Sequence, residues 1–135
     1  MARHPLPPVA AVVSFIDCIN RGDLDGLTAL MRPDHRLVVM DEEPLVGQAA
    51  NTSAWNGYFS SFPQHVIHAR HIEANGSRVA VLGTTTGSHL GLPDDEERAL
   101  GVIWLADVTE GSLASWQVAA DTPALRAETG IPTTI

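Results

Sequence analysis

Apolar positions follow a helical period in the first half of the chain and a strand-like alternation in the second. From Val9 they fall at 9, 12, 13, 16 and 19, with Phe15 alongside, which predicts an amphipathic helix. Pro7 and Pro8 stop anything earlier and suit a first helical turn, and Asn20-Arg21-Gly22 ends the run. Asp23 is placed to N-cap a second, short helix with Leu24, Leu27, Leu30 and Met31 on its apolar side. Positions 35–40 read as a strand, 41–44 as a turn and Leu45-Val46 as a short strand before Gly47. Ala54, Trp55, Tyr58, Phe59 and Phe62 then recur at helical spacing, so a helix is expected over 48–62, closed by Pro63.

The remainder predicts a β-meander. Strands are expected over 66–74, 78–89, 97–108 and 113–122, with Asn75-Gly76 as the strongest hairpin signal and Glu110-Gly111 as the last turn. Residues 123–130 can add a helical turn. Helices first and long antiparallel strands afterwards predict an α+β domain with its helices on one face of the sheet.

A chain of 135 residues suits a single domain, with residues 1–8 and 131–135 expected as flexible tails. With 44% hydrophobic and 18% charged residues it is ordinary globular material. The net charge of −8 disfavours nucleic acid and an anionic membrane surface as partners. Cys18 stands alone, so no internal disulfide forms, and its apolar setting predicts a small buried hydrophobe. No segment reaches membrane-spanning length and no signal-peptide pattern is present, which makes the cytoplasm the default location. Asn51-Thr52-Ser53 fits a glycosylation pattern, but without an export signal it means little.

The last strand ends on a single carboxylate. Residues two apart share a face, so Ser115, Gln117, Ala119 and Asp121 line one side, while Trp116, Val118 and Ala120 line the other. The former set is mostly small and leaves room for a pocket beside Asp121; the latter reads as packing. Asp121 is therefore expected as an acid/base group or polar anchor in a small-molecule pocket. Its bland alternative is a turn cap, since Asp-Thr-Pro is also good turn chemistry.

Asn20-Arg21-Gly22-Asp23-Leu24 after the first helix, Leu45-Val46-Gly47, the helix ending Phe62-Pro63, the stretch from Gly83 to Gly91 and the final Trp116 through Thr122 occur in an order that resembles the SnoaL-like branch of the nuclear transport factor 2-like superfamily. The resemblance covers nearly the whole chain. It implies a cone: a strongly curved antiparallel sheet wrapped around the N-terminal helices, with an apolar pocket at the open end. The family includes polyketide cyclases, ketosteroid isomerases and limonene-epoxide hydrolases besides modules without chemistry, so fold alone does not fix function. In the cyclases a His on a Gly-Ser/Thr-His-type strand and an Asp ending the last strand sit in the pocket. These motifs match His89 and Asp121, which are expected as the catalytic pair.

Trp55 and Tyr58, three apart on the predicted helix, can both face the cone mouth, or they can pack into the core. Phe59, Phe15, Met40, Gln117 and Asp41 complete the expected ligand-binding set, although Asp41 also reads as a turn residue. The epoxide-hydrolase arrangement of Asp-Arg-Asp is not matched, because Arg70, Arg78 and Arg98 lie near strand ends or edges. The isomerase pattern lacks a second pocket acid, with Asp107 close to a turn. His65, His68 and His71 have a spacing that on a strand alternates faces, so no metal is expected, and no cofactor is expected either. Asp94-Asp95-Glu96-Glu97 reads as a solvated loop.

With Asp121 inward, Trp104, Trp116 and Val118 face outward, and a homodimer through that outer sheet face is expected. The functional expectation is a cofactor-independent cyclase or isomerase acting by acid/base chemistry on a hydrophobic carbonyl-bearing metabolite. The alternative is a non-catalytic ligand-binding or dimerisation module of the same fold.

Overall fold

A computed structural model describes residues 5–134. Helix α1 (Pro8–Arg21) and the short α2 (Leu24–Ala29) lead into strand β1 (Met31–Val39) and the two-residue β2 (Leu45–Val46). Helix α3 (Gln48–Ser61) follows, then β3 (Val66–Asn75), β4 (Arg78–Thr86), a helical turn α4 (Asp94–Glu97), β5 (Val102–Thr109), β6 (Ser112–Ala120) and α5 (Pro123–Thr129). The strands form one six-stranded sheet in the order β2-β1-β6-β5-β4-β3. Strand β1 runs parallel to β6, whereas every other neighbouring pair is antiparallel.

Register shifts in the β1–β6, β3–β4 and β5–β6 ladders insert bulges that sharpen the twist, which curves the sheet around α1. The apolar stripe of α1 (Ala11, Val12, Phe15, Ile16, Cys18 and Ile19) is buried against it. Cys18 is thus the small core residue its setting implied. Asn51 is fully buried, with its side-chain amide donating to the carbonyls of His35, Leu45 and Gly47, so the glycosylation pattern marks a structural tie. No helix among the described residues is long and apolar enough to cross a membrane.

The strands expected over 78–89 and 97–108 fall well short of their sequence pattern. Strand β4 stops at Thr86 because Gly87 turns the chain at φ +67°, at a place where any side chain would collide with the Gln64 carbonyl. Strand β5 starts only at Val102, since residues 94–97 close a helical turn on the Pro93 carbonyl. Pro8 already belongs to α1, and Ile131 is buried; residues 1–4 and 135 lie outside the described residues.

The inward and outward faces of β6 are opposite to the sequence expectation. Trp116 and Trp104 are 1% and 3% exposed, stacked with ring centroids 6.4 Å apart on the concave side. Burying two indoles is worth roughly 4–6 kcal/mol each, which one carboxylate at the strand end cannot outweigh. The convex side carries Ala80, Leu82, Ile103 and Leu105 and is covered by Ile131 and Leu125 from the C-terminal segment. Trp104, Trp116 and Val118 therefore do not form an outer-face dimer interface.

Candidate functional site

The concave face of the sheet and α3 enclose a cavity of about 410 Å³. Its walls follow from strand alternation: Leu37 and Val39 of β1, Trp116 and Val118 of β6, Val102 and Trp104 of β5, Thr85 of β4 and Ile67 of β3. Helix α3 contributes Ala54, Trp55 and Tyr58 from the opposite side, and the loop after β4 brings in Ser88, His89 and Leu90. Met40 and His65 complete the lining. All three tryptophans of the chain face this one space.

Of the expected ligand-binding residues, Trp55, Tyr58 and Met40 line the cavity, as does the expected catalytic His89. Phe15 and Phe59 do not line it but back it. Phe15 is fully buried beneath Trp116 at 5.0 Å between centroids, and Phe59 packs on Trp55 at 5.6 Å. Gln117 pairs across the ladder with Leu105 on the convex face, and Asp41 is exposed in the turn after β1, so neither reaches the cavity.

Asp121 is also outside it. With Trp116 and Val118 inward, alternation carries Asp121 to the α5 side of the sheet. There Arg126 grips it bidentately, Nε to Oδ1 at 2.7 Å and Nη2 to Oδ2 at 2.8 Å. It packs over Gly101, where a side chain would meet its carboxylate. Hydrogen bonds from Arg126 hold its carboxyl below the usual range, outweighing partial burial, with the charges of Arg126 and Arg70 adding to the effect. A carboxylate fixed this way is a poor proton carrier near neutrality.

The polar groups that do meet at the cavity form a connected wall. The Tyr58 hydroxyl accepts from the His89 backbone amide at 3.2 Å and lies 2.9 Å from His89 Nδ1. Burial pushes the Tyr58 phenol above its ordinary value, so it stays protonated. Ser88 Oγ accepts from the Leu90 amide, which shapes the loop carrying His89. Behind the wall sits Glu97, only 1% exposed, which accepts a hydrogen bond from the Thr85 hydroxyl and a second from the Ser88 amide at 3.4 Å. Burial raises the Glu97 carboxyl, but the bonds from Thr85 and Ser88 and the neighbouring His65 together hold it below its ordinary value. Glu97 is thus ionised and accepts only.

His65 is pushed down by burial, against the opposing charge of Glu97, and stays neutral; its Nδ1 is buried without a hydrogen-bond partner among the described residues. The edge of its ring meets Tyr58 at 5.1 Å. His68 and His71 are engaged elsewhere, with Thr86 and Glu73, and no group of metal-ligating side chains gathers among the described residues.

Sequence reasoning missed Glu97, Thr85, Ser88 and His65. Alternation along 78–86 could have marked Thr85, but nothing distinguished Glu97 from the three exposed acids before it. Only the helical turn of α4 rotates it inward.

A family profile described as a SnoaL-like domain matches residues 12–116. Among solved structures, a protein provisionally assigned as a polyketide cyclase from Sinorhizobium meliloti superposes with a TM-score of 0.68 at 20% identity, covering 84% of this chain and 95% of that one. TerC co-crystallised with polyporic acid gives 0.70 at 18% identity, covering 90% and 97%. A protein provisionally assigned as a ketosteroid isomerase from Kribbella flavida gives 0.67 at 18% identity, covering 90% and 85%. At these identities the likeness is one of fold. No curated protein matches the chain significantly.

Proposed function

The chain belongs to the SnoaL-like domain family, and on that basis we propose that its cavity binds a flat, hydrophobic, carbonyl-bearing small molecule and moves a proton on it. The supporting observation is the Tyr58–His89 hydrogen bond, a polar couple at a cavity lined mostly by aromatic and aliphatic side chains. When Tyr58 donates to Nδ1, neutral His89 keeps its proton on Nε2 and can donate to a ligand carbonyl. In the other tautomer Nδ1–H donates to Tyr58 and Nε2 offers a lone pair. In that second tautomer the Tyr58 hydroxyl hydrogen is free to polarise a carbonyl while His89 Nε2 accepts the proton released beside it, which is what enolisation, aldol cyclisation or double-bond shift requires. The proposed chemistry uses side chains alone, and it assigns the acid/base role to His89 with Tyr58 rather than to Asp121. Structural relatives assigned as a polyketide cyclase and a ketosteroid isomerase accord with this class of chemistry.

The second reading, a binding module without turnover, is favoured by one observation: among the described residues no carboxylate lines the cavity. Titration with 2-acetylnaphthalene, followed through the three indole N–H signals, tests the shared part of both readings. All three signals should move, and Tyr58→Phe should weaken binding about 2- to 10-fold, the worth of one hydrogen bond. Indole signals that stay fixed at saturating ketone would refute the cavity reading.

A further inference from the structure

Glu97 has an unusual setting for a residue of a four-acid run. Asp94, Asp95 and Glu96 are exposed, while Glu97 is buried to 1%. Moving a carboxylate out of water is expensive unless hydrogen bonds compensate, and its two partners, Thr85 and Ser88, both line the cavity. Thr85 contributes the decisive detail. A threonine hydroxyl has one hydrogen and two lone pairs, and an ionised carboxylate can only accept. With that single hydrogen committed to Glu97 Oε2, the Thr85 oxygen has only lone pairs left for any further partner.

We propose that Glu97 is a positioning residue which makes Thr85 an obligate acceptor, so that the cavity selects ligands carrying a hydroxyl or enol hydrogen toward Thr85. The inference rests on the cavity reading above and sharpens its substrate class. The ligand would be a flat apolar molecule with a carbonyl for the Tyr58–His89 couple and a separate O–H donor for the β4 wall. Glu97 never touches the ligand; it acts through the direction of one hydroxyl.

Two probes of like shape separate the possibilities: 2-naphthol, which carries the donor, and 2-methoxynaphthalene, which does not. Binding of each is measured by calorimetry to the wild-type chain, Thr85→Val and Glu97→Gln. The wild type should bind 2-naphthol about tenfold more tightly, the order expected for one well-made hydrogen bond. Thr85→Val, which keeps the shape and removes the acceptor, should abolish that preference. In Glu97→Gln the amide can donate to Thr85 and free its hydrogen, so the preference should shift toward the ether. A merely structural role would weaken both probes alike. Should Glu97→Gln fail to fold, Thr85→Val alone decides. A wild-type chain that binds both probes equally, or a preference that survives Thr85→Val, overturns the proposal while leaving the cavity reading intact. If neither probe binds, both fall together.

Discussion

Arg126 holds Asp121 by two parallel hydrogen bonds of 2.7 and 2.8 Å on the side of the sheet away from the cavity. The pair is mostly buried, with side chains 14% and 19% exposed, and it ties α5 to the end of β6. Asp121→Asn should therefore reduce unfolding free energy by about 1–3 kcal/mol, the worth of hydrogen bonds to a charged group. It should leave 2-acetylnaphthalene binding unchanged. Because the folded-state pKa of Asp121 is depressed, its contribution is present above the unfolded value of about 4 and is lost as pH falls through the folded value. Urea denaturation of both proteins across that range checks the sign: the wild type should lose more stability than the variant on acidification.

Two histidines, His35 buried and His65 half-buried, give a second pH dependence with a different window. His35 is fully buried, and burial lowers its pKa against the opposing pull of the Leu113 carbonyl and Asp34; His65 is lowered in the same way beside the cavity. An imidazole kept neutral in the fold but free to charge when unfolded stabilises above the unfolded value of about 6.5. That contribution falls as pH drops below it, by up to about 1.4 kcal/mol per pH unit for each group. Chemical denaturation should show this slope as pH falls below about 6.5, and His35→Phe should flatten it despite a lower stability at neutral pH. A slope identical in the two proteins would contradict the assignment.

Trp116 provides the third expectation. It is buried between Phe15, at 5.0 Å, and Trp104, at 6.4 Å, within a single chain. Trp116→Ala should lower unfolding free energy by about 3–5 kcal/mol. Trp116→Asp should prevent folding at every protein concentration instead of yielding a folded monomer. A well-folded Trp116→Asp protein with altered association would restore the outer-face interface that the sheet geometry removes.

The same tryptophans show how far the sequence could be read. Periodicity located α1, α3 and the four long strands, because a 3.6-residue or two-residue pattern survives any misjudgement of neighbours. Alternation also paired Trp116 with Val118 and Asp121 with Gln117 correctly. What it could not supply was the sign: period-two logic says which residues share a face, not which face points inward. Choosing Asp121 as the inward marker inverted the sheet, whereas burial of two indoles decided it. Trp55, Tyr58, Met40 and His89 reach the cavity because they come from α3, the end of β1 and a loop, whose positions do not depend on that choice. Glu97 was hidden for another reason. A four-acid run reads as solvated, and the hydrogen bonds that compensate its burial come from Thr85 and Ser88, 12 and 9 residues earlier in the chain.

Proton movement by Tyr58 and His89 is read out by exchange of the acetyl methyl hydrogens of 2-acetylnaphthalene in heavy water, followed by NMR. The wild-type protein should accelerate exchange above the buffer rate. Tyr58→Phe and His89→Ala should each lower that acceleration by about 100-fold or more, the usual worth of a positioned acid or base, while Asp121→Asn should leave it intact. A ketone that binds in the cavity yet exchanges no faster than in buffer would contradict the catalytic account and leave a binding module.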